Sequence, residues 1–116
     1  MPSTIRFLDN ILDKLKLLEN VSYTEVNGNY LLFQNKCEFG AIYDDHFVIY
    51  ITKRAKELIP YAKEYEIERY GKKKMCLHVT EVGNRIVLKE LVTFIVKDIM
   101  EEKEKTTLYN SIQKGE

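Results

Sequence analysis

Between Val21 and Thr52 the apolar residues fall into four short runs: Val21–Val26, Tyr30–Phe33, Cys37–Tyr43 and Phe47–Thr52. The interruptions are Asn27-Gly28-Asn29, Gln34-Asn35-Lys36 and Asp44-Asp45-His46. Asn, Asp and Gly tolerate the positive φ that tight hairpins demand, so this pattern predicts a four-stranded antiparallel meander. On either side the period lengthens. Leu8, Ile11, Leu12, Leu15 and Leu18 recur at helical spacing behind Ser3 or Thr4 as N-cap, with Asn20 as terminator. Thr52 caps a second helix predicted from Lys53 to about Glu64, which Pro60 kinks or restarts. Ile67–Gly71 and Met75–Thr80 read as a further hairpin turning around Lys72-Lys73-Lys74. Leu88, Leu91, Val92, Ile95 and Ile99, widened by Val87, Phe94 and Val96, make the apolar stripe of a last helix over about Asn84–Lys105.

The resulting order, α-β-β-β-β-α-β-β-α, predicts an α+β fold of two layers, an antiparallel sheet of about six strands carrying helices. A chain of 116 residues, 45% hydrophobic, suffices for one domain with its own core and is short for two. That domain is expected over residues 1–105, with 106–116 as a polar C-terminal tail that frays. Phe47, Ile49 and Ile51 line one side of the fourth strand, and Val48 and Tyr50 line the other. Three helices could wrap both faces within one chain, but a two-layer arrangement leaves the second apolar face for a partner. A homodimer is the expectation, with Val48 and Tyr50 on the face that a second copy buries.

Charge adds one local feature. The totals balance at 18 basic and 18 acidic residues, which gives no global attraction to nucleic acid or to an anionic membrane. Residues 53–74, however, carry eight basic and four acidic side chains. Within that segment Arg69, Tyr70, Lys72, Lys73 and Lys74 set cations beside an aromatic ring, the chemistry that contacts phosphates and stacks on a base, or meets an acidic protein surface. Global neutrality argues against tight, unaided DNA binding by this cluster. Glu64, Glu66 and Glu68 alternate as the solvated, aggregation-resistant side of an edge strand.

Catalytic and cofactor chemistry finds little support in the residues. Cys37 and Cys76 lie far apart with no CxxC pairing, which suits a reducing compartment, and no apolar run reaches membrane-spanning length. The expected location is cytoplasmic. His46 and His78 lack metal-ligand spacing, and the phosphate-cradling patterns GxxxxGK[ST] and GxGxxG are absent, so neither a metal nor a cofactor is expected. Cys76 and His78 share a strand face but project in parallel, a poor arrangement for a nucleophile and its base.

Two stretches carry a family resemblance: Val26-Asn27-Gly28-Asn29-Tyr30-Leu31-Leu32-Phe33, and Lys36-Cys37-Glu38-Phe39-Gly40-Ala41-Ile42-Tyr43 running through Asp44-Asp45-His46 into Phe47-Val48-Ile49-Tyr50. With the later Tyr70, the Met75–Thr80 strand and the closing amphipathic helix, the chain resembles the N-terminal domain of the TfoX (Sxy) competence regulators over about residues 4–100. The family's glycine-rich run after its first strand is represented here by Gly28 alone. The resemblance implies a non-enzymatic domain linked to transcriptional control of DNA uptake, often dimeric, acting through a regulatory protein partner. A reading from a different class is a dimeric secretion-chaperone-like domain that holds an unfolded client on exposed apolar strips. Such chaperones are usually acidic, and this chain is neutral.

Overall fold

The computed structural model describes residues 3–80 and 83–114, with side chains through residue 104. The expected element order is present: α1 (Ile5–Lys14), β1 (Val21–Val26), β2 (Asn29–Gln34), β3 (Cys37–Tyr43), β4 (His46–Tyr50), α2 (Lys53–Leu58), β5 (Glu64–Arg69), β6 (Lys72–His78) and α3 (Arg85–Lys114). The strands form one antiparallel sheet in the order β1-β2-β3-β4-β6-β5, so β6 sits between β4 and β5, and β1 and β5 are the edges.

Four two-residue turns set the registers. Each has both central residues at positive φ: Asn27 and Gly28, Asn35 and Lys36, Asp44 and Asp45, Tyr70 and Gly71. This is the I′ geometry, whose twist matches that of the strands it joins. The last of these turns corrects the expected hairpin tip. Arg69 pairs with Lys72 across Tyr70-Gly71, and Lys72, Lys73 and Lys74 belong to β6 itself.

The helix ends follow local chemistry. Thr4 Oγ1 accepts from Phe7 N at 3.2 Å and caps α1, while Thr4 N donates to Asp45 Oδ1 at 2.7 Å, fixing the helix start to the β3–β4 turn. The regular helix closes at Lys14, and further turns carry the chain to Asn20 at φ 57°. Thr52 Oγ1 accepts from Ala55 N at 3.1 Å, but α2 stops at Leu58 rather than near Glu64. Pro60 explains the early stop, because it disfavours helical backbone at the residue before it and offers no N–H to a continuing helix. At the other end of the chain, α3 continues to Lys114, where a frayed tail was expected from residue 106. The last two positions of that tail lie outside the described residues.

All three helices pack on one face of the sheet. Leu8, Ile11 and Leu15 from α1, Ala55 from α2, and Leu88, Leu91, Val92 and Ile95 from α3 share a core with Leu32, Phe39, Ile42, Phe47, Ile49 and Leu77. A β-bulge on β3, where Phe39 is the extra residue opposite the Leu32–Phe33 step of β2, lets Cys37, Phe39 and Ile42 all reach that core. Gly40 is required where β3 meets β4: a Cβ there would collide with the Val48 carbonyl oxygen and lie 3.1 Å from Ile49 Cα.

Candidate binding cleft on the helix-free face

Alternation sends Ala41, Val48, Tyr50, Ile67 and Cys76 to the opposite face, where they form a second, smaller core with Leu31, Tyr43 and Tyr65 packed against it. Helices contribute Ile99 of α3 to this cluster. Val48 and Tyr50 are 0% and 5% exposed in the single chain. Within one chain, then, the apolar face expected to be open at Val48 and Tyr50 is covered by the other members of this cluster, Ile99 of α3 included. The sheet is coiled enough that residues of β1 and β2 (Thr24, Val26, Leu31, Phe33) and residues of β5 with its turn (Ile67, Tyr70) line one cleft of ≈ 820 Å³. Opposite edges of a flat six-stranded sheet would stand more than about 20 Å apart.

A polar network crosses the floor of this cleft. Glu38 on β3 accepts from Arg69 on β5, Nε to Oε2 at 2.8 Å and Nη2 to Oε1 at 2.5 Å, and also from the Tyr50 hydroxyl on β4. The Arg69 and Glu38 side chains are 11% and 19% exposed. Burial works to raise the Glu38 pKa, but the hydrogen bonds from Arg69 and Tyr50 outweigh it and hold the carboxyl below its ordinary value. Burial and the Glu38 carboxylate push the Tyr50 phenol up, so it stays protonated. Arg69 is held charged, chiefly by its bond to Glu38. Two cation–ring contacts flank the network: the Arg69 guanidinium lies 3.3 Å from the centre of the exposed Tyr70 ring, and Lys74 Nζ lies 3.9 Å from that of Tyr50. Contacts of this kind are attractive, worth about 0.5–1 kcal/mol at exposed sites.

The basic cluster singled out in the sequence is therefore divided. Arg69 is committed to Glu38. Lys72 and Lys74 alternate with Lys73, which faces the other way and pairs with Glu66 at 3.9 Å. Glu64, Glu66 and Glu68 are exposed along β5, an edge strand as expected. Elsewhere in the basic segment, Lys56 pairs with Glu64 at 3.7 Å and Arg54 with Asp98 at 2.7 Å. The Arg54–Asp98 pair lies in a groove of ≈ 1030 Å³ between α2 and α3, whose walls mix both signs of charge and are open to solvent.

The structure also assembles a group that the sequence kept apart. His46, His78 and Tyr65 meet at the other end of the same sheet face, with ring centroids 4.9 Å apart for the two histidines and 4.6 Å for His46 and Tyr65. The β4–β6 register, which sets Val48 opposite His78, brings them together. No local signal foretells a pairing across an intervening helix and strand. Burial, then the charge of His46 and of Lys63, pushes the His78 pKa down. Cys76 is fully buried beside Tyr50, and burial pushes its thiol up to about 11, which leaves it protonated and unreactive. Among the described residues, no three His, Cys, Asp or Glu side chains are grouped so as to hold a metal ion. No described helix is long and apolar enough to cross a membrane.

Comparison with protein-family models and with curated proteins finds no match for this chain.

Proposed function

We propose that this chain is a non-enzymatic regulatory or adaptor domain, of the kind its resemblance to the TfoX N-terminal domain implies. It works as a homodimer that holds an extended segment of a protein partner in the cleft on the helix-free face. One observation carries the reading: the cleft has apolar walls, Val26, Leu31, Phe33 and Ile67, while Glu38, Arg69 and Tyr50, which cross its floor, are committed to one another. Glu38 receives three donors, and Cys76 is a buried thiol. Such a surface favours binding over reaction, because catalysis needs a group with a free lone pair or a mobile proton near neutral pH. Division of the lysines between two faces and the balanced net charge weigh against nucleic acid as the primary partner. Burial of Val48 and Tyr50 weighs against a chaperone that presents the central strands to clients.

Selection of a random peptide library on the immobilised protein tests the proposal. Enriched peptides should bind in an extended form, and Phe33→Ala or Tyr70→Ala should weaken them about tenfold, the effect of removing one aromatic contact worth ~1–1.5 kcal/mol. Failure to enrich any peptide, or unchanged affinity in both variants, refutes a cleft that binds peptides. Turnover of a small-molecule substrate that is abolished by Glu38→Gln refutes the non-enzymatic assignment.

A further inference from the structure

The two edges of the sheet are built differently. On β5 (Glu64–Arg69), four of the six residues, Glu64, Glu66, Glu68 and Arg69, are charged, which repels a further strand. On β1 (Val-Ser-Tyr-Thr-Glu-Val) Glu25 is the one charged residue; no proline, lysine or bulge interrupts the strand, and five of its six residues are exposed. Tyr23 and Val26 are 50% and 43% exposed on its two faces. The two-residue I′ turn after Val26 makes Val26 and Asn29 a hydrogen-bonded pair. By alternation Ser22 and Thr24 also bond to β2, and Val21, Tyr23 and Glu25 direct their N–H and C=O groups outward.

We infer that β1 pairs antiparallel with β1 of a second copy about a two-fold axis through Thr24. The inference rests on the homodimer proposed above and names the surface that forms it. An antiparallel pair must keep side chains of the same face opposite one another, so a two-fold axis has to pass through a residue position. With the axis at Thr24, Thr24 faces itself, Ser22 faces the second copy's Val26, and Tyr23 faces the second copy's Glu25. The outward backbone groups of Tyr23 and Glu25 then satisfy one another. The two Glu25 carboxylates are kept apart, and each meets a tyrosine; like charges directly opposite would destabilise the pair. The geometry also bears on the cleft. Thr24 and Val26 line it, so the second copy's Ser22, Thr24 and Val26 continue the same wall, and the two clefts share a rim.

Sedimentation of the full chain at micromolar concentration, with the Thr24→Lys and Thr24→Cys variants, tests this. The wild type should show twice the chain mass of 13.7 kDa. Thr24→Lys sets two ammonium groups face to face on the axis and should give a monomer with an unchanged far-ultraviolet spectrum. Thr24→Cys should oxidise to a disulfide-linked dimer, because the pair on the axis has Cα atoms about 4.5 Å apart, within disulfide reach. A dimeric wild type whose mass survives Thr24→Lys, together with a Thr24→Cys variant that forms no intermolecular disulfide, overturns the β1 interface and leaves the homodimer standing. A monomeric wild type overturns both. If Thr24→Lys fails to fold, the Thr24→Cys cross-link decides alone.

Discussion

Replacing Arg69 by Met removes the guanidinium but keeps much of its aliphatic length, and leaves the Glu38 carboxylate with the Tyr50 hydroxyl as its remaining donor in the network. Removing one member of a buried ion pair costs about 3–5 kcal/mol, because the other charge stays behind without compensation. The Glu38 and Arg69 side chains retain 19% and 11% exposure, so water relieves part of that penalty, and we expect a loss of about 2–4 kcal/mol at pH 7. The pH dependence is the sharper test. In the wild type the Glu38 pKa is depressed, so the pair stabilises the fold fully above the ordinary carboxylate pKa of 4.5, and that stabilisation is lost as the pH falls through the depressed value. In Arg69→Met, burial dominates and raises the Glu38 pKa, so protonation relieves the variant as the pH falls. The difference between the two proteins should be largest near neutrality and shrink toward acid. Urea unfolding followed by far-ultraviolet circular dichroism, with tyrosine fluorescence as second probe, measures it; the chain has eight tyrosines and no tryptophan. The double variant Glu38→Gln/Arg69→Met should recover most of the loss. A difference below about 0.5 kcal/mol at neutral pH, or one that does not change with pH, would refute the account of Glu38 as a buried carboxylate held by Arg69.

Three further outcomes follow from other parts of the fold. Gly40→Ala should destabilise the protein by about 1–3 kcal/mol in the same unfolding assay, because the clash is with the backbone of β4, which has no rotamer with which to yield. Lys36→Gly should stabilise by about 0.5–1 kcal/mol, since Lys36 sits at φ 65°, and relief of that strain exceeds the added chain entropy of glycine; a loss of stability would mean that the Lys36 side chain contributes more than the turn conformation costs. The folded-state pKa of His78 is depressed, so the unfolded chain binds a proton first as the pH falls below about 6.5, and stability declines until the folded value is reached. His78→Gln should flatten that decline in melting temperature between pH 7 and 5, and an unaltered slope would remove His78 as its source.

How much of the structure is legible in the chain depends on how local each feature is. Turn residues and capping threonines act within a few positions of themselves, so the four hairpin turns of I′ type at Asn27, Asn35, Asp44 and Tyr70 and the caps Thr4 and Thr52 can be recognised from neighbouring residues, although at Tyr70-Gly71 the lysines alongside are the more conspicuous signal and draw the expected tip away from it. The stripe through Leu88, Leu91, Val92 and Ile95 likewise marks the buried side of α3. Glu38 and Arg69 give no such notice. They are 31 positions apart and meet because β6 inserts between β4 and β5 and the sheet coils, neither of which leaves a periodic trace. The same non-local geometry buries Val48 and Tyr50, which alternation alone marks as an exposed apolar face.

The succession of two-residue turns also shapes how the molecule reaches its fold. β1 to β4 are joined end to end by three of them, so each strand pairs with the strand just made, and little chain entropy is lost in closing any loop. Hairpins of this kind form in about 1–10 μs, and sheets built from neighbours fold faster than those that wait for distant strands to meet. On the ribosome these four of the six strands are complete by Tyr50, well before α3 has been synthesised, and their helix-facing residues Leu32, Phe39, Phe47 and Ile49 then wait for the last helix to cover them. The pairing of β6 with β4 closes a longer loop, because it must span α2 and β5. Until it does, β4 is an open edge, so mutations that delay the β4–β6 pairing should reduce yield through aggregation more than they reduce the stability of the finished protein.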